Sequence, residues 1–326
     1  MDAMVKKYAH LLVHYCLELK EGEKLFVNSS ALSEPLIMAV YAEATAVGAQ
    51  VEMDIRFQDR QRLYYENAEG QTLDRVPSFY KLAIETFDAY LNIRAPYNLI
   101  EDGRIDPQKK NRRKKAMTTI QQKYFERTAT RDLKRNLCQY PTLASAQHAG
   151  MSLDEYKDFI FSACRLYDSD PAESWREVRR EQQTIVDYLN SKEKIHYKGE
   201  GIDISFSTKE RTWINSDGQT NMPSGEVYTS PVEDSVEGTI HFSHPAIYGG
   251  KEVEGVTLWV EKGEVTKYEA KRGKEVLDEL LQLNGARRFG EAAIGTNYHI
   301  NRFTRNILFD EKIGGTIHLA VGAGFP

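Results

Sequence analysis

The chain has 326 residues, of which 41% are hydrophobic and 28% charged, enough for a sizeable core in about two globular domains. Its 48 acids against 43 bases leave a net charge of −5, which argues against a dedicated nucleic-acid binder. Three scattered cysteines, Cys16, Cys138 and Cys164, are too few for a disulfide framework or a structural zinc cage, and a reducing cytoplasm is the expected home. No apolar run reaches the length of a membrane span, and no secretory leader is visible at the start.

Val5, Tyr8, Leu11, Leu12, Tyr15 and Leu19 recur at helical spacing, so the pattern predicts one helix over 4–20. Lys24 to Val27 reads as a strand. Ser33-Glu34-Pro35 opens a helix that runs through Leu36, Val40, Ala44 and Val47 and stops at Gly48, and a second strand follows at Gln50 to Arg56. Strand, helix and strand in about thirty residues form a βαβ unit with parallel pairing. The loop Asn28-Ser29-Ser30-Ala31-Leu32-Ser33 contains no glycine, so it lacks the close backbone approach that a dinucleotide pyrophosphate needs. Another strand is expected at Ala89 to Ile93, and helices at 107–127, 153–166 and 171–189. The basic run Lys109 to Lys115 carries no interleaved aromatics and reads as the solvated opening of a helix.

Beyond Asn190 the character changes. Ile202 to Phe206, Thr239 to Phe242 and Val256 to Val260 alternate with period two between glycine turns, the mark of antiparallel sheet. Glu261 to Glu264 is a hairpin turn, and a last helix is expected from Gly273 to Leu283. The expected architecture is therefore α/β plus α+β. A parallel-sheet α/β domain over 1–190 precedes a largely antiparallel C-terminal domain over 191–326.

Chemistry is sparse in the first part. His10 and His14 sit four apart, but Leu11 stands where a zincin motif has its glutamate, and the pair reads as two amphipathic-helix residues. His241 and His244 are three apart, so on a strand they face opposite sides. Ser224-Gly225 fails the nucleophile-elbow pattern because Met222 replaces its first glycine. The C-terminal part is richer. Glu226 sits in a proline- and hydroxyl-rich loop, Glu291 between glycines and apolar residues, and His318 in an alternating strand beyond Asp310-Glu311. Such groups are expensive to bury unpaired. A divalent cation of the zinc, cobalt or manganese kind would stabilise them together. Pairing with the plentiful arginines would serve instead.

Three segments together carry a resemblance: Asn-Met-Pro-Ser-Gly-Glu-Val-Tyr-Thr-Ser-Pro (221–231), Gly-Glu-Ala-Ala-Ile-Gly-Thr-Asn (290–297) and Asp-Glu-Lys-Ile-Gly-Gly-Thr-Ile-His-Leu-Ala (310–320). In order and spacing the chain resembles the aminopeptidase T / aminopeptidase S family of bacterial metallo-aminopeptidases over nearly its whole length. The resemblance implies removal of N-terminal residues from peptides by a metal-activated water, with two divalent ions. Glu226, Glu291 and His318 would be ligands, with Glu291 bridging. Glu291 and Glu311 are the catalytic candidates, Glu311 as general base or support for the ligand strand. The resemblance also implies a homodimer, a peptide substrate, and neither nucleic acid nor membrane as partner. Two departures accompany it. The family continues into a His-x-Asp pair that this sequence does not reach, so a shortened form is expected, and Phe325 stands where the family has a catalytic tyrosine. A non-catalytic or weakly active peptide-binding protein of the same fold is the alternative.

Overall fold

The computed structural model describes residues 2–248 and 251–324. The chain divides into two compact units, one of residues 1–175 and 218–223, the other of residues 176–217 and 224–326.

The first unit is built on a five-stranded parallel sheet in the order Gln50–Arg56, Lys24–Ser30, Ala89–Arg94, Lys134–Gln139, Asn221–Met222. The βαβ expectation holds: the helix Glu34–Val47 joins two parallel strands, with Pro35 in its first turn and Gly48 at its end. The central strands are buried as near-continuous apolar runs, with Leu25, Phe26 and Val27 at most 4% exposed, as a sheet covered on both faces requires. Cys16, Cys138 and Cys164 are buried core thiols, and burial pushes Cys164 up to about 12.

Two expectations are corrected here. The single helix over 4–20 is an α-helix, Ala3–His10, followed by a π-helical segment, Leu11–Cys16, with wider hydrogen bonds such as Leu17 N–H to Leu12 O at 3.0 Å. The helix over 107–127 is two, Pro107–Ala116 and Thr118–Ala129, with Met117 between them. Its basic run is partly to fully exposed and two of its members are paired: Lys109 with Glu69 at 2.6 Å and Arg112 with Asp74 at 2.7 Å.

The second unit is antiparallel. One sheet has the order Glu264–Glu269, Thr257–Glu261, Glu237–His241, Ile202–Ser207, Lys194–Gly199, and includes the expected hairpin. The other has the order Ile317–Val321, Phe289–Gly295, Glu226–Thr229, Ile214–Ser216. A core including Phe206, Ile240, Leu258, Val227, Phe289 and Leu319 draws on both sheets, so the apolar face of each is buried. That leaves the other face of the four-stranded sheet for polar side chains. Among the described residues no helix is long and apolar enough to cross a membrane.

Candidate metal centre

Register decides which side chains meet. In the four-stranded sheet Gly295 pairs with Glu226, Ala293 with Tyr228 and His318, and Glu291 with Ala320. Residues opposite one another, and those two apart along a strand, share a face. Glu226, Glu291 and His318 therefore project from one face, with the small Ala293 and Ala320 between them leaving room for the tips to converge. Nε2 of His318 lies 3.2 Å from Oε1 of Glu291 and 3.5 Å from Oε2 of Glu226. One donor atom from each of the three lies within 4.8 Å of the others.

Two glycines allow this geometry. Gly225 has φ +111°, and a Cβ there would sit 2.7 Å from Cβ of Asn297. Asn297 in turn donates to Ser224 O at 2.9 Å, while Gly225 O accepts from Thr296 N–H. At Gly295 a Cβ would collide with Ile313 O, so only glycine lets the 310–316 loop close over the end of the Glu291 strand. Gln182 fixes the same corner from the helix Pro171–Asn190. It is buried, donates to Ser216 O at 3.1 Å, and accepts from Thr296 Oγ1 at 2.7 Å.

The loop also delivers a cation. Lys312 is fully buried, with Nζ 3.2 Å from Oε1 of Glu226 and 3.2 Å from Oε2 of Glu311. Burial pulls its ammonium down, but Glu226 and Glu311 outweigh that and hold it above the ordinary value. Burial raises the Glu311 carboxyl, and the charges of Glu226 and Glu291 add to this against Lys312 and His318. Burial likewise depresses His318, yet its hydrogen bond to Glu291 and the surrounding carboxylates leave it raised. Three carboxylates thus face one ammonium and one imidazole, and with all three ionised negative charge remains whether His318 is neutral or protonated. Oε2 of Glu226 and Nδ1 of His318 are buried without a hydrogen-bond partner. A cation is what such a donor set fits: two carboxylates and an imidazole with donor atoms turned inward and charge left uncompensated.

The three metal-ligand candidates come together, and Glu311 reaches the same cluster through Lys312. Phe325 lies outside the described residues. Lys312 and Gln182 were missed. Lys312 stood inside the third motif, where a lysine among glycines and apolar residues was the available signal; Gln182 gave none on an amphipathic helix. The other candidates weighed in the sequence play separate parts. His241 bonds Thr257 Oγ1 at 2.9 Å, His244 stacks on Phe303, and Ser224 is buried against Ser216.

A mixed α/β chain whose antiparallel sheet carries two carboxylates and an imidazole with converging donor atoms has the donor chemistry of a metal-binding protein. The profile of the family described as "Thermophilic metalloprotease (M29)" matches residues 1–326, and the chain belongs to that family. Divalent metal use and a peptide substrate follow at that level. The chain is 28% identical to "Aminopeptidase 2" of Geobacillus stearothermophilus over 349 aligned positions, covering 98% of this chain and 83% of that protein. It is 28% identical to "Aminopeptidase T" of Thermus thermophilus over 358 positions, covering 100% and 86%. The solved structure titled "Wild-type AmpT from Thermus thermophilus" superposes with a TM-score of 0.84 at 24% identity, covering 98% of this chain and 85% of that one, and supports the fold.

Proposed function

We propose that this chain is a metal-dependent aminopeptidase that removes N-terminal residues from peptides. The observation that carries the reading is the convergence of Glu226, Glu291 and His318 around uncompensated negative charge. The names of its relatives support the same activity and favour it over a non-catalytic, peptide-binding role. Glu226, Glu291 and His318 are the proposed ligands and would hold divalent ions of the zinc, cobalt or manganese kind, two in this reading. Such ions supply Lewis-acid polarisation of the scissile carbonyl and a water nucleophile at neutral pH.

The chain's own residues do the rest. Glu311, its carboxyl raised by burial, accepts a proton from the attacking water and returns one to the departing amine. Lys312 draws the Glu311 and Glu226 carboxylates to one ammonium and fixes their orientation. His318 presents Nε2 to the carboxylates. The same reading includes a catalytic domain over 191–326 and an N-terminal domain over 1–190, a homodimer, and action in the cytoplasm.

The test is hydrolysis of leucine p-nitroanilide and of a leucine-initiated peptide, before and after chelation. Activity abolished by a chelator, restored by zinc, cobalt or manganese, and absent on the N-acetylated peptide supports the reading. A chain that hydrolyses neither substrate with any of these ions overturns it.

A further inference from the structure

A second donor set lies wholly within the first unit. His10 closes the helix Ala3–His10, and His14 stands in the π-helical segment that follows. Glu43 comes from the helix Glu34–Val47, which packs against them. A single oxygen, Oε2 of Glu43, lies 3.3 Å from Nδ1 of His10 and 3.0 Å from Nε2 of His14. The two imidazoles have ring centroids 4.2 Å apart, and one donor atom of each of the three residues lies within 4.8 Å of the others.

We infer that His10, His14 and Glu43 form a transition-metal site of the two-imidazole, one-carboxylate type, separate from the carboxylate-rich centre. The spacing fits: with bonds of about 2.0–2.1 Å, donors on a tetrahedral ion lie about 3.3 Å apart. The pair lacks a zincin glutamate at position 11 because its carboxylate comes from another helix, 29 residues beyond His14. The side chains are 59%, 37% and 32% exposed, so an ion enters from solvent without rearrangement. A cleft of about 420 Å³ lined by His10, Glu43, Lys6, Lys7 and Asp170 adjoins them and has room for water or a small ligand in a remaining position. Lys7 is tied to the carbonyls of Leu166 and Asp168 at 3.3 and 2.8 Å. Hydrogen bonds among half-exposed groups contribute little by themselves. An ion held by both imidazoles and the carboxylate would pin the first helix to the second. The donor set favours nickel, copper(II) or zinc over magnesium or calcium.

The experiment uses the full chain, stripped with chelator. Calorimetric titration with Ni²⁺ should show one more equivalent in the parent than in the double variant His10→Ala/His14→Ala, with Glu43→Gln weakened about tenfold or more. The Cu²⁺-loaded parent should give an electron-paramagnetic-resonance component coupled to two imidazole nitrogens, absent from the double variant, while leucine anilide hydrolysis is unchanged. Equal stoichiometry and identical copper spectra overturn the site. If the double variant fails to fold, the parent still decides the matter. Ni²⁺ must protect His10 and His14 from diethylpyrocarbonate, read by mass spectrometry, and equal modification with and without Ni²⁺ overturns the proposal.

Discussion

The parallel sheet of the first unit and the four-stranded antiparallel sheet of the second handle buried polarity in opposite ways. Within the parallel sheet the fully buried polar side chains are neutral, the hydroxyls of Ser29 and Ser30 and the amides of Asn136 and Gln139, while charged Arg94 and Lys134 are only partly buried. Asn28 and Asn92 pair across adjacent strands, Asn28 donates to Tyr90 Oη at 3.1 Å, and the buried Asn136 donates to Gly218 O at 2.8 Å. The antiparallel sheet gathers Glu226, Glu291, His318 and, from the adjoining loop, Glu311 and Lys312. The Oδ1 atoms of Asn28, Asn92 and Asn136 are buried without a hydrogen-bond partner, which costs about 1–3 kcal/mol each, whereas a buried charge missing its counter-charge costs several kcal/mol. The first arrangement fully buries neutral groups only, and the second concentrates charge, which is why it is the candidate site.

The largest effect that would sharpen this contrast is at Lys312. Lys312→Met removes the buried ammonium and leaves the Glu226 and Glu311 carboxylates facing each other. We expect a loss of about 3–5 kcal/mol of unfolding free energy in the metal-free protein. Urea denaturation checks this, and a variant as stable as the parent would mean that the ammonium does not balance those carboxylates. A smaller change is expected in the parallel sheet. Asn136→Ala leaves Gly218 O without its donor and should cost about 1–3 kcal/mol by the same assay. A loss as large as that at Lys312 would erase the distinction between neutral and charged burial. The smallest effect is expected at an exposed helix start. Ser152 caps the helix Leu153–Ala163 in a capping box with Glu155, and Ser152→Ala should cost about 1 kcal/mol, read as a small drop in melting temperature.

What the sequence revealed also differs between the two regions. The βαβ unit was legible because its cues are local: Pro35 at a helix start, Gly48 at its end and apolar periodicity between. Other elements carried no such signal. The helix Arg60–Asn67 has no buried residue, and the strand Lys134–Gln139 begins with two charges and does not alternate. In the second unit the alternating strands and the hairpin were readable, but the site itself was not. Which strand lies beside which, and that Ala293 faces both Tyr228 and His318, is a matter of register across residues far apart in the chain. Only the motif resemblance joined Glu226, Glu291 and His318 beforehand. Lys312 was overlooked for a related reason: its role depends on two carboxylates converging on one ammonium, and one of them is supplied by a distant strand. Glu43 is the same case, because nothing local ties it to His10 and His14.

The central claim is that the antiparallel sheet's charge imbalance is resolved by divalent ions held at Glu291. The direct measurement is bound metal per chain after equilibrium dialysis against zinc or cobalt, for the parent, Glu226→Ala and Glu291→Ala, with leucine anilide hydrolysis read on the same samples. On the proposed two-ion reading, in which Glu291 would contact both ions, we expect Glu291→Ala to lose more metal than Glu226→Ala and to fall to background hydrolysis. Parent-level metal and parent-level hydrolysis in Glu291→Ala would contradict the claim.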